Sequence, residues 1–249
     1  MNDFSRPYGS TPTMDMSKDA GLRAFMLGIY NTMIIGLVVT GAVAYFAANA
    51  FFVGVGTPGF GVTELGAQIF NSPMRWVVML APLAMVFVIS GGINKFSPGM
   101  ATVLFYVFAA LMGVSISSIF AIYASGSIFS VFMVTAASFA GLSLYGYTTK
   151  KDLSGFGSFL IMGLFGIIIA SVVNLFLQSD AIMFAVSVLG VLIFAGLTAW
   201  DTQRLKVSYY EYGGDEVAAK RMSIMGALSL YLNFINMFLF LLRLFGSRD

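Results

Sequence analysis

Leu228-Ser229-Leu230-Tyr231-Leu232-Asn233-Phe234-Ile235-Asn236-Met237-Phe238-Leu239-Phe240-Leu241-Leu242-Arg243 decides the fold of this chain. The run belongs to an apolar stretch, Arg221–Arg243, long enough to cross the hydrocarbon of a bilayer, which takes about 20 apolar residues as a helix. Two asparagines lie deep inside it and an arginine lies near its far end. The preceding apolar stretch, Ala181–Lys206, ends in Ala199-Trp200-Asp201-Thr202-Gln203-Arg204 and carries an acid at its edge. Polar groups are expensive in hydrocarbon, so these mark a pathway or a packing contact. The segments upstream read as wall and scaffold for these two helices.

Composition agrees. The chain is 59% hydrophobic and 10% charged, with a mean hydropathy of +0.90, against about 45–50% apolar and about 25% charged in soluble domains. That identifies an integral membrane protein. Cys and His are both absent, which removes disulfides, thiolate metal sites, His proton shuttles and nucleophile–base pairs built on either residue. Any pH sensing must use carboxylates, and any metal would meet oxygen ligands of the kind that suit calcium or magnesium. No resident metal and no cofactor are expected. No basic patch with interleaved aromatics is present, so nucleic acid is not an expected partner.

Seven runs qualify as spans, at about Leu22–Phe51, Met74–Ile93, Gly99–Ala124, Ile128–Tyr147, Phe156–Leu177, Ala181–Leu205 and Met222–Phe245. Glycine, proline and charge punctuate the breaks, among them Gly54–Pro73, Thr148–Gly155 and Val207–Lys220. Residues 1–20 are polar and read as a disordered cytoplasmic tail, leaving 21–249 as one seven-helix domain. With the N-terminus inside, the inner segments hold ten of the 13 Lys and Arg residues and the outer segments only Arg75, Arg243 and Arg248. This bias places the N-terminus in the cytoplasm and the C-terminus outside. Small residues at helical spacing (Gly113 with Ser117, Ala137 with Gly141, Gly163 with Gly166) read as close helix packing. Pro82 reads as a kink in the second span.

Asp201 has two readings. It is a solvated carboxylate at a helix end, paired with Arg204 or Lys150, or it faces inward as a gate, where burial disfavours its charge and a cation favours it. Asn233, counted from the start of the last apolar run, falls about 16 Å along the helix, near mid-membrane. Asn236 follows one turn later on nearly the same face. These two amides serve either as interhelical hydrogen bonds, with Asn174 and Asn31 as possible partners, or as the lining of a cation path. Arg243 either snorkels to the outer interface or plugs a vestibule there. No second intramembrane aspartate exists for an aspartyl protease, no lysine stands in the last span for a retinal, and no G-x-x-x-x-G-K phosphate loop is present. The chain does not read as an enzyme.

Three blocks carry a resemblance to a known family: Gly141-Leu142-Ser143-Leu144-Tyr145-Gly146-Tyr147-Thr148-Thr149-Lys150-Lys151-Asp152-Leu153-Ser154, Ala199-Trp200-Asp201-Thr202-Gln203, and Leu230-Tyr231-Leu232-Asn233-Phe234-Ile235-Asn236 through Leu241-Leu242-Arg243. With them the chain resembles the Bax inhibitor-1, or transmembrane Bax inhibitor motif, family over nearly all of its length after the tail. The resemblance implies an all-α bundle of seven transmembrane helices with the last helix central. It also implies a pH-responsive cation leak, with calcium as the permeant ion in the best-studied members. There, one aspartate on the sixth helix and one on the seventh form the pH-sensing latch. The first matches Asp201. The second matches Asn233, which cannot ionise, so this chain departs from the two-carboxylate pattern. Asp201 can still accept a hydrogen bond from the Asn233 amide. Arg243 matches a family arginine near the outer end of the last helix, and Arg204 stands beside the latch. The resemblance also implies an alternative, a membrane regulator that moves no ion and acts on a partner such as a membrane-bound protease. The location it suggests is a bacterial inner membrane.

Overall fold

A computed structural model gives the architecture for residues 20–55, 61–212 and 215–247. The tail expected over 1–20 lies outside the described residues except for Ala20, which opens the first helix. That helix, α1, covers Ala20–Phe51. A two-residue hairpin follows, β1 (Phe52–Val53) with β2 (Gly61–Val62), and then the short α2 (Glu64–Phe70). The remaining helices are α3 (Met74–Gly92), α4 (Pro98–Ile116), the single turn α5 (Ile119–Ile122), α6 (Ser125–Thr148), α7 (Ser154–Leu177), α8 (Asp180–Tyr212) and α9 (Glu216–Phe245). With α4 and α5 taken as one span, seven helices among the described residues are long and apolar enough to cross a membrane. The break between α4 and α5 falls at Ser117-Ser118, where the Ser117 hydroxyl turns back to the Val114 carbonyl.

Gly54–Pro73, which the sequence suggests is a break between spans, holds β2 and α2. Thr63 makes the difference: its backbone N–H donates to the Phe51 carbonyl, its hydroxyl donates to the Ala50 carbonyl, and the same oxygen caps α2 by accepting from Gly66 N–H. Phe51, Phe52 and Phe70 close a small aromatic cluster beneath it.

The last helix is central, as expected. In its most apolar stretch 67% of residues are buried, against 33% or less in every other span. It packs chiefly against α8, α1, α6 and α4, whereas α3 joins the bundle mainly through α4 and α7 mainly through α8. Tyr231 anchors it. The ring meets Phe105 and Phe108 of α4 edge to face, and its hydroxyl shares a 2.6 Å hydrogen bond with Thr40 of α1, whose own hydroxyl reaches the Ala109 carbonyl. Arg221, at the start of α9, grips the Phe96 carbonyl in the α3–α4 turn through Nε and a terminal nitrogen.

Of the small-residue pairs, Gly113 is a packing contact: a Cβ there would sit 2.6 Å from the Thr40 carbonyl oxygen. Gly141 and Gly166 face open space, and the tightest approach between α6 and α8 falls instead at Gly146, whose added Cβ would lie 2.1 Å from the Ala199 carbonyl oxygen.

Candidate functional site

Tyr231 faces α1 and α4, and two residues turn an α-helix by about 200°. Asn233 is therefore directed to the opposite side of α9, toward α8. Ser229 lies one turn before it on the same face. On α8, Asp201 and Arg204 are three residues apart and so adjacent on the helix surface.

These four side chains meet. Asp201 is 3% exposed. Its Oδ2 accepts from the Asn233 amide at 2.7 Å and from the Ser229 hydroxyl at 2.7 Å, and its Oδ1 pairs with an Arg204 terminal nitrogen at 2.7 Å. Both carboxylate oxygens thus hold partners with charge-assisted geometry, which is what allows a charged carboxylate to stay buried. Asp201 thus combines features of its two sequence readings: it is buried and faces α9, and it is paired with a cation of its own helix. Its cation is Arg204 rather than Lys150. Arg204 itself is half-exposed and lies over the Trp200 ring, 4.7 Å from its centroid. Gly157 of α7 makes room for that indole, since a Cβ there would come within 2.2 Å of it.

The other face of α8 is fixed by hydrogen bonds that involve no carboxylate. Thr202 shares a 2.9 Å bond with Ser143 of α6, and Ser143 bonds Tyr30 of α1. Gln203 clamps the α6–α7 turn, its amide donating to the Lys151 carbonyl at 2.7 Å and its carbonyl accepting from Leu153 N–H at 2.8 Å. Lys206 donates to the Tyr147 carbonyl. These contacts fix the depth of the site. Gln203 is level with the turn that begins α7, so Asp201 lies about half a helical turn, roughly 3 Å, inside that end. Beyond the α6–α7 turn, α8 runs on to Tyr212 and α9 begins at Glu216.

The remaining sequence-named residues separate. Asn236 donates to the Leu232 carbonyl of its own helix and does not reach Asp201. Arg243 is exposed at the opposite end of α9, its guanidinium 5.9 Å from the Phe240 ring centroid. Asn174 accepts from Ser179 N–H beyond the end of α7, and Asn31 is exposed, so neither pairs with Asn233. Sequence reasoning missed Ser229 and Gln203. Serine is common in membrane helices and carries no signal alone, although the i, i+4 spacing of Ser229 and Asn233 was visible.

Two cavities flank this cluster. One, about 560 Å³, lies between α7 and α9 over α8, with apolar walls such as Leu164, Ile168 and Phe240 and the polar groups Asp201, Ser229, Asn233 and Asn236. The other, about 330 Å³, lies toward the α3–α4 turn and includes Ser90, Ser208 and Met222. Arg204, Ser229 and Leu232 line both. Among the described residues no group of three or more acidic side chains is placed to hold a metal ion. An ion here would meet the oxygens of Asp201, Asn233 and Asn236.

Comparison with known proteins places the chain among relatives. The family described as "Inhibitor of apoptosis-promoting Bax1" matches residues 22–249. A protein of Caulobacter vibrioides is 49% identical, with 99% of each chain covered. "Inner membrane protein YbhL" of Escherichia coli K12 is 46% identical over 92% of this chain and 94% of its own. A protein of Rickettsia prowazekii is 41% identical over 100% of this chain and 99% of its own.

Proposed function

We propose that this chain, which belongs to the Bax inhibitor-1 family, is a cation leak of a bacterial inner membrane, with calcium as the first candidate ion and the Asp201–Asn233 contact as its closed latch. The observation that carries this reading is the position of the buried Asp201 cluster between two cavities that share Arg204, Ser229 and Leu232 as their common wall. A single carboxylate with amide oxygens nearby offers a divalent ion too few ligands to trap it, which suits passage more than storage. With the orientation expected from the Lys and Arg bias, the smaller cavity is the cytoplasmic one.

Asn233 sets the sign of the pH response. A latch of two carboxylates holds while they share a proton, and loss of that proton sets like charges against each other. Here the charged form of Asp201 makes the latch, because it pairs with Arg204 and accepts from both Ser229 and Asn233. Alkaline conditions leave that arrangement intact. Protonation removes the ion pair and weakens the two acceptor bonds, so acid loosens α8 from α9. Arg204 is the charged side chain in contact with Asp201 among the described residues, and the α7 wall facing it is apolar apart from Ser171. Calcium flux into liposomes holding the purified chain, measured at mildly acidic and mildly alkaline pH, tests the proposal.

A second reading, a regulator that moves no ion and engages a membrane protease or another partner, draws on the ends of α8 and α9. They extend beyond the α6–α7 turn with Val207, Glu211, Asp215 and Val217 exposed, a surface of mixed chemistry open to a partner.

A further inference from the structure

The cavity between α7 and α9 is more than the outer half of a path. Its length runs from Ser229 to Phe240, about 16 Å along α9, and its walls are aliphatic and aromatic. It opens sideways at the α7 side chains Ile168 and Val172, which line it and are 48% and 51% exposed in a helix long and apolar enough to cross the membrane. What reaches it laterally is hydrocarbon. Its volume of about 560 Å³ is that of an ordinary ligand site, roughly 300–1,000 Å³.

One end of the groove is charged. Arg204 uses one terminal nitrogen on Asp201 and one face on Trp200, and among the described residues its other N–H donors have no acceptor. The Asp201 carboxylate also borders the groove, but it is buried and both its oxygens are engaged, one by Arg204 and one by Ser229 and Asn233, so the donors left over at this end belong to the guanidinium. The level is that of a headgroup: Gln203, next to Arg204, bonds the carbonyl of Lys151, and Lys150 and Lys151 are exposed in that turn. The one acid of the turn, Asp152, is engaged with the Ser154 N–H.

We infer that this groove holds one acyl chain of an anionic phospholipid, drawn from the leaflet at the Lys150–Lys151 end, with its phosphate on the free edge of Arg204. The second chain stays in the bilayer beyond Ile168 and Val172. A guanidinium fork suits phosphate oxygens, and each basic side chain near a membrane surface favours anionic lipid by a margin worth about fivefold in affinity. The site goes beyond the leak, because it requires the groove and Arg204 and no ion flow.

The test is native mass spectrometry of the full chain, released from detergent with palmitoyl-oleoyl phosphatidylglycerol or phosphatidylcholine added in series. Wild type should hold one phosphatidylglycerol about fivefold more tightly than phosphatidylcholine. Arg204→Gln should remove the preference, and Ile168→Trp, which leaves Arg204 in place and fills the groove, should weaken both lipids. Inorganic phosphate should not compete, since it leaves the apolar groove empty. Should Arg204→Gln fail to fold, Ile168→Trp alone decides. Equal binding of the two lipids by wild type, undiminished binding in Ile168→Trp, or retention of oleate with no phosphatidylglycerol would overturn the inference.

Discussion

The Asn233 amide donates to Asp201 Oδ2 at 2.7 Å across the contact between α8 and the central helix α9. One partner titrates and the other cannot. That inequality gives the site a polarity that a pair of carboxylates lacks, and the predictions below follow from it and from the packing around it.

Asn233→Asp should change the direction of the pH response. The variant places two carboxylates at one contact, which hold together while sharing a proton and repel when both are charged. Calcium flux through Asn233→Asp should rise with increasing pH, where that of the wild type should rise with decreasing pH. The same direction in both proteins would count against the latch.

Ser229→Ala should remove one of the two bonds to Asp201 Oδ2 while leaving Asn233 in place. The loss expected for a hydrogen bond to a charged group, reduced in membrane interiors, is about 1 kcal/mol. Thermal unfolding in detergent should show a modest drop, and the leak at neutral pH should increase. Unchanged values on both would mean that Ser229 contributes nothing to the closed form.

Gly146→Ala should be costly and Gly141→Ala should not, although both glycines stand in one segment of α6. An added Cβ meets the Ala199 backbone at 146 and open space at 141. Overpacking of this kind costs about 1–3 kcal/mol, and here the obstruction is backbone, two residues before Asp201. The comparison is again thermal unfolding of the two variants. Equal stability would place the α6–α8 contact elsewhere.

Asp152 gives a pH dependence outside the membrane. Its carboxylate is held below the usual range chiefly by accepting from Ser154, through the side chain and then the backbone N–H. A depressed value in the folded state means that the contribution is present above the unfolded carboxylate value and is lost as pH falls through the folded one. Hydrogen exchange at the Ser154 amide should quicken in that acidic window in the wild type, and be fast throughout in Asp152→Ala. Exchange independent of pH after correction for its intrinsic rate would contradict the cap.

Much of this was legible in the sequence, for physical reasons. The seven spans stand out because hydrocarbon demands long uninterrupted apolar helices. Asp201 and Asn233 stand out because polar groups are rare where they sit. The centrality of α9 came through the family resemblance and is matched by its burial. Other features were hidden. The placement of β2 and α2 between Gly54 and Pro73 depends on one residue, Thr63, bonding three backbone groups, which no period reveals. Gln203 was quoted only as part of a motif, and its contacts with Lys151 and Leu153 connect positions about fifty residues apart. Asn236 shares a helix and a cavity with Asn233, but its amide bonds the Leu232 carbonyl of its own helix and not Asp201, and Arg243 lies at the far end of α9, as the sequence order requires.

The most direct test of the central claim is calcium flux into liposomes holding wild type or Asp201→Asn, each at mildly acidic and mildly alkaline pH, with folding checked by thermal unfolding. The amide of Asp201→Asn cannot form an ion pair with Arg204 and cannot titrate. The account predicts a wild-type leak that grows on acidification and a variant leak that is high and the same at both pH values. A folded variant whose flux follows pH as the wild type does, or folded protein of either kind with no flux above empty liposomes, would contradict it.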